Sequence, residues 1–391
     1  MAIRLIDGGV CAAEGFIAGA VFAGIKKDAS QYDLSIIYSS SKAACASVYT
    51  KNTVKSAPVT VTMENTADGY AQAIVCNSGN ANAFNKDGVE IAKEVCGISA
   101  KALKISAKNV IVASCGTLGE PLSIEPFING VPALCSSLSK DGGKKATLGI
   151  ASPDDNAREI ALSFEIGGKV CKMGGAVIGS ACDCPSEKAT LAFITTDCAI
   201  SKDMLSKALI SELKSTFDMI SIGQDASTND MITVLANGMA KNKEITSNGK
   251  AFSEFKLALR TVAKALSKMI AKGFGKTKLL ECYVSGAFDE KYAKIIAKSV
   301  VCSSRVKSSI SNLDANWGGI LCAIGASSIE FDPDKADVSF ISGKGEIPVC
   351  SKGASVEFSE EFAKEILGDD EITIKIKLGD GDGSAVSWGC S

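Results

Sequence analysis

Three short apolar runs, Leu34-Ser35-Ile36-Ile37-Tyr38, Ala73-Ile74-Val75-Cys76 and Val110-Ile111-Val112-Ala113, have the length and β-branched content of buried strands. Between the second and third, Val89 to Leu103 places Ile91, Val95 and Ile98 on one helical face. Another helix is expected to start at Ser201, whose hydroxyl suits an N-cap, and to carry Leu205, Leu209 and Leu213 at four-residue spacing. The clearest stripe runs from Ser253 to Lys272, with Phe255, Leu259, Val262, Leu266 and Met269 on one side. Near the end, Ile372 to Leu378 alternates strictly, as a half-buried strand does. Asp380-Gly381-Asp382-Gly383-Ser384 then reads as a turn after the last strand. Helices interleaved with both kinds of strand indicate α/β or α+β layers.

The 391 residues, 46% of them hydrophobic, suffice for two or three domains around a large core. A net charge of -2 without a basic block argues against nucleic acid as a partner. No apolar run reaches the roughly 18 residues of a membrane span, and Asp7 interrupts the start before a signal-peptide core could form. The 15 cysteines are odd in number and irregularly spaced. They suit small buried residues of a reducing compartment, and a cytoplasmic protein is expected. Cys182-Asp183-Cys184, near Cys171, lacks zinc spacing, so no metal is expected.

The absence of histidine changes the picture most. It removes Ser-His-Asp and Cys-His hydrolases and leaves a carboxylate, a lysine or an amine as any general base. The run Val110 to Gly116 ends a buried strand at Cys115-Gly116, where backbone N–H groups could meet a developing oxyanion or simply turn the chain. Ala189-Thr190 precedes the apolar run Leu191-Ala192-Phe193-Ile194. A threonine there is ordinarily the first residue of a strand. In a chain without histidine it has another route: as a new N-terminus, its own α-amine serves as base. Gly275-Lys276-Thr277 is not a phosphate loop, because the required first glycine is Ile270.

Cys76-Asn77-Ser78-Gly79-Asn80-Ala81-Asn82-Ala83 resembles a signature of the ornithine acetyltransferases, the ArgJ family. Tyr49-Thr50-Lys51-Asn52, Gly119-Glu120-Pro121, Ala192 to Asp197, Asp225 to Asp230, Leu235 to Gly238, Asn316-Trp317-Gly318 and Ser387-Trp388-Gly389-Cys390 follow in the family's order. The resemblance implies a layered α-β-β-α sandwich of the ornithine acetyltransferase/DmpA type, with a smaller C-terminal α+β domain at about 279–391. It implies self-cleavage between Ala189 and Thr190 into chains 1–189 and 190–391, two of each forming a heterotetramer. Thr190 would then carry acetyl from N-acetylornithine to glutamate. No resident cofactor is needed, and acetyl-CoA is a donor for some members.

By position, the resemblance makes Thr190 the nucleophile, Cys115 and Gly116 the oxyanion hole, and Lys172 and Ser152 substrate contacts. Several positions depart from the pattern. The family has Thr-Gly at Cys115-Gly116, and the segment from Lys172 to Thr190 is longer here. Phe274 stands where a substrate-binding glutamate is expected, Gly319 replaces an arginine, and the chain stops at Ser391 before a substrate-contacting tail. A non-catalytic paralogue and an amide hydrolase on the same fold therefore stay open as alternatives.

Overall fold

The computed structural model describes residues 3–28, 31–150, 158–179, 189–221, 226–273 and 277–391. They divide into two compact units, residues 3–179, 189–213 and 226–266, and residues 214–221 and 267–391.

The first unit contains nine strands: β1 (Arg4–Ile6), β2 (Phe16–Val21), β3 (Leu34–Tyr49), β4 (Tyr70–Asn80), β5 (Val110–Thr117), β6 (Glu159–Ile166), β7 (Lys169–Ile178), β8 (Leu191–Thr196) and β9 (Met231–Ala236). Hydrogen bonds connect them in the order β1-β6-β7-β8-β9-β3-β4-β5, with β2 on the free side of β3. Strand β3 belongs to both halves. Its first part pairs with β2 and β4, its last part with β9, and the register shifts between Tyr38 and Ala43.

Side-chain alternation turns this one sheet into two facing layers. Phe16, Ile37, Ile74 and Ile111 from β2 to β5 meet Ala176, Leu191, Phe193 and Leu235 from β7 to β9 in one buried cluster. The opposite face of the first half, Leu34, Ile36, Val75, Val110 and Val112, is covered by helices. These are α1 (Ala57–Asn65), α2 (Gly88–Leu103), which brings Ile91 and Val95, and α3 (Glu125–Ser137), which brings Phe127, Val131 and Leu134. Helix α4 (Gly143–Ile150) places Ala146 and Ile150 in the inner cluster.

Helices α5 (Lys202–Leu213) and α6 (Lys250–Lys272) cover the other half. The Cα of Gly175 on β7 faces Leu266 and Val262 of α6, and Phe164 on β6 meets Phe255 edge to face at 6.4 Å. Each such side chain removed from water stabilises the layer by about 1.5–3 kcal/mol. The layers are therefore α-β-β-α, the sandwich expected from the sequence. Ser201 accepts a hydrogen bond from the Met204 N–H at 3.4 Å, as an N-cap does.

The second unit has a six-stranded sheet, β13-β12-β11-β14-β10-β15, from β10 (Leu279–Ala287), β11 (Asp337–Ser342), β12 (Gly345–Ser351), β13 (Ala354–Ser355), β14 (Glu371–Lys377) and β15 (Gly383–Cys390). Strand β15 corrects one expectation: the turn at 379–382 lies between β14 and β15, and Gly383 and Ser384 already belong to β15, so this segment is not a turn after the last strand. Its Gly383-Ser384-Ala385 start has little β propensity, but β10 supplies the missing partner. Trp388 on β15 is buried and its indole N–H donates to Glu281 at 2.7 Å. Asn316 accepts from the Gly319 N–H at 2.9 Å and caps the helix Trp317–Gly325, which accounts structurally for the Asn-Trp-Gly motif.

Twelve of the described cysteines are free thiols, and Cys390 is disulfide-bonded. Cys182, Cys184, Ser152 and Phe274 lie outside the described residues. No helix among the described residues is long and apolar enough to cross a membrane.

Candidate active site

Thr190 immediately precedes β8 and is buried, at 7% exposure. Strands β8 and β9 run parallel with Leu191 opposite Met231, so the register brings Thr190 level with Asp230. The Thr190 carbonyl accepts the Met231 N–H at 2.9 Å, and the Thr190 N–H donates to Asp230 Oδ1 at 2.7 Å. A carboxylate thus receives the nitrogen of the bond between Ala189 and Thr190. Burial pushes the Asp230 carboxyl up to about 6, against the opposing effect of the Thr190 and Ser227 N–H groups. No role for Asp230 was visible in the sequence beyond its place in the Asn229-Asp230 motif.

Gly179, just past β7, supplies the wall beside the threonine. Its φ is +137°, and a Cβ built on it would stand 3.2 Å from Thr190 Oγ1 and from Thr190 Cα. Glycine leaves the hydroxyl room in a backbone conformation that other residues avoid. Arg158 reaches the same place, its Nη1 donating to the Gly179 carbonyl at 2.9 Å.

Strand β5 brings Cys115 and Gly116 towards this end of the sandwich. Parallel pairing sets Gly79 opposite Gly116. A Cβ at Gly116, where φ is +134°, would fall 2.3 Å from the Gly79 carbonyl carbon, so no larger residue fits. The asparagine-rich signature holds this turn. Ser114 donates to Asn77 at 2.6 Å, Asn77 to the Asn80 carbonyl at 2.9 Å, and the Asn82 N–H to Asn80 Oδ1 at 2.8 Å. Asn229 donates to the carbonyls of Ser114 at 2.9 Å and Ala81 at 2.8 Å. The residue before Asp230 is thus fastened to the residue before Cys115. Cys115 packs on the inner cluster that contains Ala189 and Leu191, and its thiol donates to the Ile150 carbonyl at 3.2 Å.

Lys172 is not brought to Thr190. Ile178 pairs with Leu191, whereas Met173 pairs with Thr196 at the other end of the same ladder. Six residues of extended strand separate Lys172 from Ile178, roughly 20 Å, too far for one small substrate to touch both. The Lys172 N–H instead donates to Asp197 at 2.7 Å, and its carbonyl accepts from Thr196 Oγ1 at 2.7 Å. The expectation for Lys172 came by position from the family resemblance; the strand register sets its backbone at the far end of the ladder from Thr190. Among the described residues, no group of three or more His, Cys, Asp or Glu could hold a metal ion.

The model of the ArgJ family matches residues 17–391. The chain belongs to the ArgJ family. The arginine biosynthesis bifunctional protein ArgJ of Caldanaerobacter subterraneus subsp. tengcongensis is 42% identical over 390 residues, 99% of this chain and 96% of that protein. Arginine biosynthesis bifunctional protein ArgJ 1 of Clostridium acetobutylicum is 41% identical over 377 residues, 96% and 92% of the two chains. A crystal structure of arginine biosynthesis bifunctional protein ArgJ from Bacillus halodurans matches with TM-score 0.48 and 38% identity, covering 51% of this chain and 92% of that one. For an ArgJ-family chain, the fastened Asn77–Asn82 turn and the Thr190–Asp230 contact lie within the matched region.

Proposed function

We propose that this ArgJ-family chain is a self-processing acetyltransferase of arginine biosynthesis, with Thr190 as its nucleophile. The observation that carries the reading is the burial of Thr190 with its nitrogen on a carboxylate and its hydroxyl beside a glycine. The hydroxyl oxygen attacks the Ala189 carbonyl, the acyl group moves from nitrogen to oxygen, and water cleaves the ester. This leaves chains 1–189 and 190–391 and a free α-amine on Thr190.

In turnover the amine takes the hydroxyl proton while the oxygen attacks the acetyl carbonyl of N-acetylornithine. Ornithine leaves, and glutamate collects acetyl from the threonine. Backbone N–H groups at Cys115-Gly116 are the oxyanion donors in this reading; the Cys115 thiol is turned to the Ile150 carbonyl. Ser152 remains a candidate substrate contact. Acetyl-CoA is a second donor, no resident cofactor takes part, and two copies of each chain assemble in the cytoplasm. Near-full-length similarity to bifunctional ArgJ proteins favours this reading over a non-catalytic paralogue or an amide hydrolase.

Quenching the protein after exposure to N-acetylornithine alone tests the assignment. One acetyl mass is expected on the fragment that begins at Thr190, and none on Thr190→Ala. Acetyl found on Cys115 would contradict it.

A further inference from the structure

We propose that Asp230 is the third member of the nucleophilic apparatus, a positioning carboxylate that holds the Thr190 nitrogen and receives the ammonium formed when that nitrogen takes the hydroxyl proton. The proposal rests on Thr190 acting as a self-released nucleophile. Its geometry is independent of that assumption. The ladder between β8 and β9 would normally continue with a backbone carbonyl; here the Thr190 N–H meets a side-chain oxygen at 2.7 Å. The main chain that carries the carboxyl group is held in place. The Thr50 N–H donates to the Asp230 carbonyl at 2.9 Å, and Asn229 ties the preceding residue to Ala81 and Ser114. Besides the Thr190 N–H, the carboxyl group accepts the Ser227 N–H, so its place does not depend on the Thr190 nitrogen alone.

The proton count closes at each step. In the precursor the Thr190 oxygen bonds to the Ala189 carbonyl carbon, the hydroxyl proton passes to the departing nitrogen, and the C–N bond breaks. Water then hydrolyses the ester. During transfer the hydroxyl oxygen bonds to the acetyl carbon, its proton makes the amine an ammonium facing Asp230, and that proton leaves with the departing amine of the donor. The arrangement repeats the logic of a Ser-His-Asp triad, with the threonine's own amine in the place of histidine.

A buried opposite charge favours the ammonium, so Asp230 raises the amine's pKa, and the two groups titrate as a coupled pair. Among the described residues, the other titratable groups on segments packed around the pair are Arg158, which donates to the Gly179 carbonyl, Tyr49 and Lys51 beside Thr50, and Cys115. None of them occupies the contact with the Thr190 nitrogen that Asp230 makes.

The test compares full-length wild type, Asp230→Asn and Asp230→Glu, each checked for a cooperative thermal melt. Cleavage is followed by denaturing mass spectrometry and acetyl exchange as a function of pH. Asp230→Asn is expected to cleave at least about tenfold more slowly, and its cleaved fraction to lose at least about tenfold in kcat. Its KM should change little, and the acid limb of its pH profile should move about one unit lower, because the amine has lost its counter-charge. Asp230→Glu, which keeps the carboxylate, should recover part of both rates and the wild-type acid limb.

Wild-type rates in Asp230→Asn, or a rate loss with an unmoved acid limb, would overturn the proposal. If Asp230→Asn does not fold, Asp230→Glu decides. A folded Asp230→Glu protein as inert as Thr190→Ala would overturn it, and cleavage with the wild-type limb would support it. A wild type that neither cleaves nor exchanges would overturn the nucleophile reading, and this proposal with it. An active wild type beside an unaffected Asp230→Asn would remove this proposal alone.

Discussion

Two buried aspartates close opposite ends of one strand ladder, and they have different surroundings. Asp197 follows β8 and accepts the N–H groups of Glu14 at 2.9 Å and Lys172 at 2.7 Å. Burial raises its pKa, and those two backbone donors together with the nearby Lys172 charge oppose the rise. Asp230 precedes β9 and accepts the nitrogen of the bond that is cut in the proposed processing. Burial raises it to about 6, with only N–H groups in opposition. The first carboxylate ties a loop to a strand. The second stands beside a hydroxyl, a glycine wall and a nitrogen whose protonation changes during the chemistry. Burial of a carboxylate alone therefore does not mark a site; what shares the pocket with it does.

The strongest expected effect that separates the two ends is at Gly179. Gly179→Ala forces a side chain into a backbone conformation with φ +137° and against the Thr190 hydroxyl. Cleavage should slow by about tenfold or more, read as the uncleaved fraction over time. The glycine turn at the other end offers a control: a Cβ at Gly168 meets nothing within 4 Å. Gly168→Ala should leave cleavage unchanged even where its own positive φ lowers the melting temperature.

Stability should distinguish the aspartates next, in an uncleavable Thr190→Ala background. The folded pKa of Asp230 is about 6 against 3.8 for the free group. The folded state therefore binds more protons between those values, and Asp230 makes the fold less stable as pH rises through them. Adding Asp230→Asn should stabilise the fold by on the order of 2 kcal/mol above about pH 6, with the gain vanishing below about pH 4. Asp197→Ala leaves two inward N–H groups without their acceptor and should instead destabilise by about 2–3 kcal/mol at neutral pH. Chemical denaturation across pH reads both. Equal behaviour of the two variants would dissolve the contrast.

Much of the framework was legible from local pattern. The helices at 88–103, 202–213 and 250–272 and the strand at 371–377 fall where apolar spacing placed them. Their periodicity is a property of neighbouring residues. What escaped was long-range. Strand β15 depends on pairing with β10 a hundred residues away. Asp230 meets Thr190 through parallel register, forty residues apart. The place of Lys172 escaped for the same reason: the resemblance set it among the substrate contacts by position, and only the register shows it at the far end of β7 from Leu191. The signature asparagines were recognisable by resemblance, yet their work of holding the turn beside Gly116 needed the hydrogen bonds themselves.

The smallest expected effect follows from that correction. Lys172→Ala should leave exchange kcat and KM for N-acetylornithine within about twofold of wild type, since roughly 20 Å of strand separates it from the nucleophile. A rise in KM of tenfold or more would restore Lys172 as a substrate contact and count against the ladder geometry.

Intact mass under denaturing conditions, with N-terminal sequencing, tests the nucleophile most directly. The uncut chain is 40.4 kDa. Two fragments are expected, one ending at Ala189 and one beginning at Thr190, and Thr190→Ala should give a single uncut chain. A wild-type protein that stays at 40.4 kDa with its original N-terminus after long incubation, or a cut at another bond, would contradict Thr190 as the self-released nucleophile.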